Sequence, residues 1–164
     1  MVSLVGLVSL VGFVSLVGLV GEHIFVATIR RFEDLECWQE ARKFVNLVYG
    51  LIKNEPFRKD FELVGQVKRS AISSMANVAE GFHRNSTKDF MKFLDYSRAS
   101  IAETVSHFYI ARDQKYITES EIAQVKRQGD VVWKKVNSFI SYLSQTNIAT
   151  KSTNKTNSTN KTNR

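Results

Sequence analysis

The sequence predicts an all-α fold: an antiparallel, up-down four-helix bundle with disordered or non-native-like low-complexity extensions at both ends. Three observations predict this fold. Apolar residues recur every three or four positions through four stretches of roughly twenty to thirty residues. One proline and few glycines outside the N-terminal repeat leave these stretches uninterrupted, which favours helices over a turn-rich β fold. Short polar connections between the stretches are typical of antiparallel neighbours.

The first two predicted helices are bounded by capping and stop signals. The first covers residues 34–53, because Asp34 is a good N-cap and Pro56 follows the last apolar position. The second covers residues 60–80, and Gly81 provides its C-terminal stop. This second helix carries small side chains that allow close approach of a neighbouring helix, namely Ser70, Ala71, Ser73, Ser74, Ala76 and Ala79.

The last two predicted helices open with hydroxyl caps. The third covers residues 86–114, where Ser86 and Asp89 have nearly the spacing and chemistry of a capping box. The fourth covers residues 118–144, where Glu121 follows a threonine cap by three positions and completes the box.

The chain divides into a head of residues 1–31, the bundle of residues 32–145 and a tail of residues 146–164. The head repeats a six-residue unit, VSLVGLVSLVGFVSLVGLVG. We interpret it as repeated DNA translated upstream of the true start. Two alternatives stay open: a membrane anchor over residues 2–20, which are long and apolar enough to span, and a strand, because an even period keeps the serines on one face. A signal peptide would need a basic start, which is missing.

The tail consists of Asn, Thr, Lys and Ser with almost nothing to bury, so we predict that it is disordered. We expect a cytoplasmic protein, with membrane attachment through residues 2–20 as the alternative. The lone cysteine, Cys37, fits a reducing compartment and excludes an intramolecular disulfide and a thiolate metal cage.

The net charge of +7 comes mainly from the extensions. Residues 32–145 hold 17 Lys and Arg against 15 Asp and Glu, a difference of +2. No glycine-rich phosphate loop is present, and Cys37 has no histidine near it in sequence. The Glu80–His83 pair is a single Glu-x-x-His that straddles Gly81, whereas di-iron bundles use two such pairs. We therefore expect no enzyme, cofactor, metal or small-molecule substrate, and keep a bundle metal site only as a third hypothesis.

A nucleic-acid interface is the leading candidate site. Six cations fall on the second predicted helix, the following turn and the third helix, where a hairpin would gather them to neutralise phosphates without reading bases. These candidate residues are Lys68, Arg69, Arg84, Lys88, Lys92 and Arg98. The alternative is an ordinary solvated face, because Glu80, Asp89 and Asp95 are interspersed among them.

The stretches FEDLECWQEARKFVNLVY and QVKRSAISSMANVAEGFHRNSTKDFMKFLDYSRASIAE resemble the bacterial four-helix-bundle proteins encoded by intervening sequences in 23S ribosomal RNA genes. The chain is also similar, more distantly, to the accessory proteins of diversity-generating retroelements. The resemblance covers about residues 31–143. Two positions depart from the family pattern: Met75 stands where proline is frequent, and Ala99 where glycine is. The motif residues expected to be structural or to lie at an interface are Gln66, Asn77, Glu80, Gly81, Ser100 and Glu103.

The resemblance implies a non-enzymatic protein that assembles as a homo-pentamer and has RNA or DNA as its partner. In the retroelement relatives a basic barrel binds nucleic acid and the reverse transcriptase. The resemblance therefore also implies an alternative function, that of a protein-interaction scaffold or accessory subunit. Several copies of a weakly basic surface would bind a polyanion more strongly through multivalency.

Overall fold

Four helices form the body of the protein, as the sequence predicts. The structure is a computed structural model that describes residues 14–20 and 23–159, with side-chain environments for residues 29–145. The helices are α1 (Glu36–Leu51), α2 (Phe61–Phe82), α3 (Thr87–Asp113) and α4 (Glu119–Thr159). The all-α four-helix bundle is confirmed.

Each helix packs against two others: α1 and α3 both contact α2 and α4. In the α2–α3, α1–α4 and α3–α4 pairs, contacts join residues in opposite chain order. In the α2–α3 pair, for example, Thr104 donates to Ser70 at 2.9 Å and Ser97 donates to the carbonyl of Ser74 at 2.6 Å. Small serine and threonine side chains, rather than larger ones, are buried between α2 and α3. The two helices can therefore approach closely, as predicted for α2.

Two of the predicted N-caps, Ser86 and Thr118, are observed, and Asp60 caps α2 although it was not predicted as a cap. The Asp60 carboxylate accepts from the Leu63 N–H at 3.0 Å, and the Ser86 hydroxyl accepts from the Asp89 N–H at 3.0 Å. At the start of α4 the box is reciprocal, with the Thr118 N–H donating to the Glu121 carboxylate at 2.7 Å.

The predicted cap at Asp34 is wrong. Asp34 ends a 3-10 turn over Phe32–Asp34, and α1 begins at Glu36 with Leu35 in the cap position. The Asp34 carboxylate instead accepts from the N–H of Arg31 at 3.2 Å. The carboxylate that was expected to cap α1 is therefore used one turn earlier.

Gly81 is not a helix stop. It lies inside α2, which ends at Phe82, and His83 takes the C-terminal cap position with a φ of −86°. A Cβ at Gly81 would lie 2.6 Å from Cδ2 of Phe90 and 2.8 Å from Cβ of Phe93. Glycine is required here because α3 crosses α2 so closely, and not because of the backbone conformation.

Both extensions contain regular secondary structure in the residues that the structure describes. The helix α4 runs to Thr159, beyond the end predicted near residue 144, and no Gly or Pro after Gly129 interrupts it. Before the bundle, β1 (Val14–Val20) pairs antiparallel with β2 (His23–Ile29), with Val14 opposite Ile29. Residues 1–13, 21–22 and 160–164 lie outside the described residues, and most of the membrane-anchor alternative falls on them. Among the described helices, none combines the length and apolar character that crossing a bilayer requires.

The core is one apolar cluster that all four helices share. Phe44 of α1 and Phe108 of α3 are fully buried in it. Phe57, in the 3-10 turn before α2, is also fully buried and packs perpendicular to Phe108 with ring centroids 6.0 Å apart. The connection between α1 and α2 therefore closes one end of the bundle with a side chain that lies outside the helical pattern.

Candidate nucleic-acid interface

The structure separates the six candidate cations into different parts of the surface. Lys68 is half-buried beside α1, with its Nζ 5.8 Å from the ring centroid of Tyr49. Arg98 lies on the α4 side of α3, where it donates to Asn137 at 2.6 Å and stacks over Trp133. The hairpin therefore does not bring Lys68 and Arg98 onto one surface, because they point into grooves on opposite sides of the α2–α3 pair.

A cluster at the α2–α3 turn contains three of the other cations. We define the turn cluster as Arg84, Lys88, Lys92, Phe93 and Tyr96. The guanidinium carbon of Arg84 lies 4.5 Å from the Phe93 ring centroid, and the Nζ of Lys92 lies 5.7 Å from that of Tyr96. The rings of Phe93 and Tyr96 are perpendicular, with centroids 5.6 Å apart. Cations and aromatic rings thus alternate across this end of the bundle.

Local sequence positions the turn cluster. The Ser86 cap begins α3 three residues after His83, so Arg84 remains near the first turns of α3. On α3, Lys92 and Tyr96 are four residues apart and Phe93 and Tyr96 are three apart, spacings that place side chains together on one helix face. The missing side chain at Gly81 lets Phe93 approach α2, where Arg84 covers its ring.

The carboxylates interspersed among these cations are mostly engaged. Glu80 pairs with Arg84, and Asp95 pairs with Arg98. Asp89 accepts from the Ser86 hydroxyl at 2.6 Å as part of the cap of α3. Four of the six candidate cations have no carboxylate within ion-pair distance in the part of the chain that the structure describes: Lys68, Arg69, Lys88 and Lys92.

Four of the six motif residues lie along the outer side of the α2–α3 pair, whereas Gly81 and Ser100 are buried. On α2, Gln66, Asn77 and Glu80 share a face with the exposed Arg69, because they are separated by multiples of three and four residues. On α3, Ser100 is buried and donates to the carbonyl of Tyr96 at 2.9 Å, while Glu103 is exposed. We call Gln66, Arg69, Asn77, Glu80 and Glu103 the outer face.

Three groups of the outer face are left without partners in the described structure. The amides of Gln66 and Asn77 and the carboxylate of Glu103 make no hydrogen bond or ion pair with described side chains or backbone. The side chains of Gln66 and Glu103 are exposed, and that of Asn77 is half-buried with its polar atoms accessible to solvent. Asn77, a poor residue for the middle of a helix, therefore has no local hydrogen bond that would explain its presence.

The alternative chemistries find little geometric support. Cys37 is buried, and burial raises the pKa of its thiol to about 12, so the nucleophilic thiolate is disfavoured. Glu80 is paired with Arg84, whereas the His83 ring packs against Phe32 and Phe82. Within the described residues, no group of three or more His, Cys, Asp or Glu side chains is arranged to hold a metal ion.

Sequence reasoning did not select Tyr96 as a site residue. Its ring lies between Lys92 and Phe93, and 44% of its surface is exposed. The sequence does contain a signal for this site: Lys92 and Tyr96 are four residues apart on a predicted helix, and Phe93 lies between them. That spacing indicates a cation–aromatic pair only once the exposed face of α3 is known.

Comparisons with known proteins cover the whole bundle. The family described as "23S rRNA-intervening sequence protein" matches residues 33–138, a range that contains every candidate site residue. A crystal structure of a protein with unknown function from the S23 ribosomal protein family of Bacteroides thetaiotaomicron is also similar. It has 25% sequence identity and a TM-score of 0.54, and the match covers 66% of this chain and 97% of that chain. No curated protein matches the sequence. Because the family match spans more than half of the chain and all four helices, the chain belongs to the 23S rRNA-intervening sequence protein family.

Proposed function

We propose that this protein is a non-enzymatic, oligomeric RNA-binding bundle whose turn cluster contacts the phosphate backbone. The observation that carries the proposal is that Lys88 and Lys92 are exposed one helical turn apart, with no carboxylate partner in the described structure. An unpaired lysine can neutralise a phosphate without first breaking an ion pair, and each neutralised phosphate releases cations condensed on the RNA, which drives binding. A cation that is already paired with a carboxylate, such as Arg98, would contribute less binding free energy, because its ion pair must break first.

Phosphate contacts of this kind give affinity without sequence readout. A single copy of the turn cluster offers only a few contacts, so its binding would be weak. Several copies in one assembly would act together, because each further contact becomes intramolecular once the first has formed. The proposal therefore couples RNA binding to assembly.

The double substitution K88Q/K92Q tests the phosphate contacts. We expect it to weaken binding of a structured RNA hairpin about 10- to 100-fold and to reduce the slope of log K against log salt by about 1.5, since each lost contact contributes roughly 0.7–0.9. Fluorescence anisotropy between about 50 and 200 mM salt measures both quantities. The matched control is R127Q/K134Q, which removes two exposed, unpaired cations from α4. Equal losses in the two variants, or binding that does not depend on salt, would contradict the proposal.

A second candidate function is a protein-interaction scaffold, and the outer face favours it. The unpartnered amides and carboxylate on these neighbouring helices are free to join the roughly ten direct hydrogen bonds that a protein–protein interface typically forms. The first partner that we propose for this face is a second copy of the chain. A further partner protein is the alternative, and a complex that survives nuclease treatment would support it.

Substitution of Asn77 by Arg tests assembly through the outer face. We expect the unsubstituted protein to have a mass several times 18.7 kDa and N77R to shift towards the mass of one chain, because the larger side chain would prevent the two copies from packing closely. Light scattering coupled to size exclusion measures the masses. The control Q124R changes an exposed position of α4 and should leave the assembly unchanged. A protein of single-chain mass before any substitution would refute assembly.

A further inference from the structure

We infer that the turn cluster binds unpaired RNA, with Tyr96 as a stacking platform for a base; this inference rests on the proposed function. Exposure is the first observation. Tyr96 keeps 44% of its surface accessible, although it lies on a helix whose other aromatic residues near this end, Phe90 and Phe93, pack against the bundle. An accessible ring beside cations has the chemistry of single-strand binding sites, in which bases stack on aromatic side chains and nearby lysines or arginines contact the backbone.

The arrangement around Tyr96 favours this use. Lys92 is the one described cation within cation–π distance of the ring, and Phe93 packs perpendicular to it. Arg84 lies on the other side of Phe93 and Lys88 one turn before Lys92, so cations flank the ring along the helix and across the turn. A base stacked on Tyr96 would place its sugar and phosphate among these three cations.

Tyr109 provides an internal comparison. It is also partly exposed, at 36%, and also carries cations on its ring: Arg112 at 5.0 Å and Lys126 at 5.4 Å from the centroid. However, two cations already cover the Tyr109 ring, and Arg112 forms ion pairs with Asp113 and Glu119. Arg112 would have to break these ion pairs to contact a phosphate, whereas Lys92, the cation on the Tyr96 ring, has no carboxylate within ion-pair distance in the described residues. We therefore expect the ring of Tyr109 not to support RNA binding.

The single-strand preference follows from what each form of RNA exposes. In a duplex the base faces are stacked on one another, and a protein contacts mainly phosphates and sugars. A ring such as Tyr96 then has nothing to stack on. In an unpaired strand the faces are free, and stacking adds to the phosphate contacts without any requirement for sequence.

The substitution Y96L tests the inference. The probes are a ten-nucleotide oligouridylate and a fully paired RNA duplex with the same number of phosphates, measured by anisotropy with the full-length protein. We expect Y96L to weaken oligouridylate binding roughly 5- to 100-fold, which corresponds to the loss of one stacked base. Duplex binding and the salt slope should stay within about twofold of the unsubstituted protein, because no phosphate contact is removed. Y96F should retain the single-strand affinity, and Y109L should be indistinguishable from the unsubstituted protein.

Failure of this inference can be distinguished from failure of the proposed function. If the unsubstituted protein binds both probes in a salt-dependent manner and Y96L is neutral, or affects both probes equally, stacking on Tyr96 is refuted while phosphate binding stands. If the unsubstituted protein binds neither probe, both proposals are refuted. Equal losses in Y96L and Y109L would show that the effect is not specific to the turn cluster.

Discussion

Replacing Phe108 by Ala is expected to lower the free energy of unfolding by about 3–5 kcal/mol. Phe108 has no accessible surface and lies in the core towards one end of the bundle, perpendicular to the buried Phe57. Its removal loses the transfer free energy of a phenyl ring and leaves a cavity that the helices cannot fill without moving. Urea or guanidinium denaturation followed by circular dichroism measures the loss.

The control for Phe108 lies two residues away on the same helix. Ile110 is 47% exposed, so I110A removes less buried surface and should cost no more than about 1 kcal/mol. A similar loss in both variants would mean that Phe108 is not buried in the core.

Gly81 and Gly50 are expected to respond in opposite directions to the same substitution. At Gly81 an added Cβ would lie 2.6 Å from Phe90 and 2.8 Å from Phe93, so α2 and α3 must move apart. Overpacking of this kind costs about 1–3 kcal/mol, and the gain in helix propensity offsets up to about 1 kcal/mol of it. We therefore expect G81A to reduce the free energy of unfolding by about 1–2 kcal/mol.

Gly50 is the matched control for Gly81. It lies in α1, and a Cβ there would meet nothing within 4 Å. G50A should therefore stabilise the protein by about 0.5–1 kcal/mol, since alanine is the better helix former. Denaturation curves of the two variants give the signs directly. Stabilisation by both would show that α3 does not approach α2 as closely as described, and that Gly81 has no packing role.

These predictions depend on different kinds of information. The four helices and most of their starts follow from local sequence, because the 3.6-residue period and the caps at Asp60, Ser86 and Thr118 act within one or two turns. The errors at Asp34 and Gly81 have a common cause. A carboxylate near a helix start has more than one N–H within reach, so residue type alone does not show which one it caps. A glycine can be required by backbone conformation or by close packing, and residue type alone does not distinguish these reasons.

The candidate site was less predictable than the fold. Local spacing correctly indicates that Lys88 and Lys92 share a helix face, since that relation is fixed within α3. It does not indicate that Lys68 and Arg98 face different grooves, because this depends on how each helix is rotated against its neighbours. Tyr96 was missed for the same reason: an exposed and a buried tyrosine look alike in a helical sequence.

The sequence by itself determined the four amphipathic helices, the caps at Ser86 and Thr118 and the family to which the chain belongs. Only the tertiary structure decided that Gly81 serves close packing, that Phe57 closes the core, and that Arg84 packs on Phe93 of α3 while Arg98 lies elsewhere. The physical reason is that backbone hydrogen bonds and capping act between residues close in the chain. Which side chains become neighbours across helices is set by packing of the whole core.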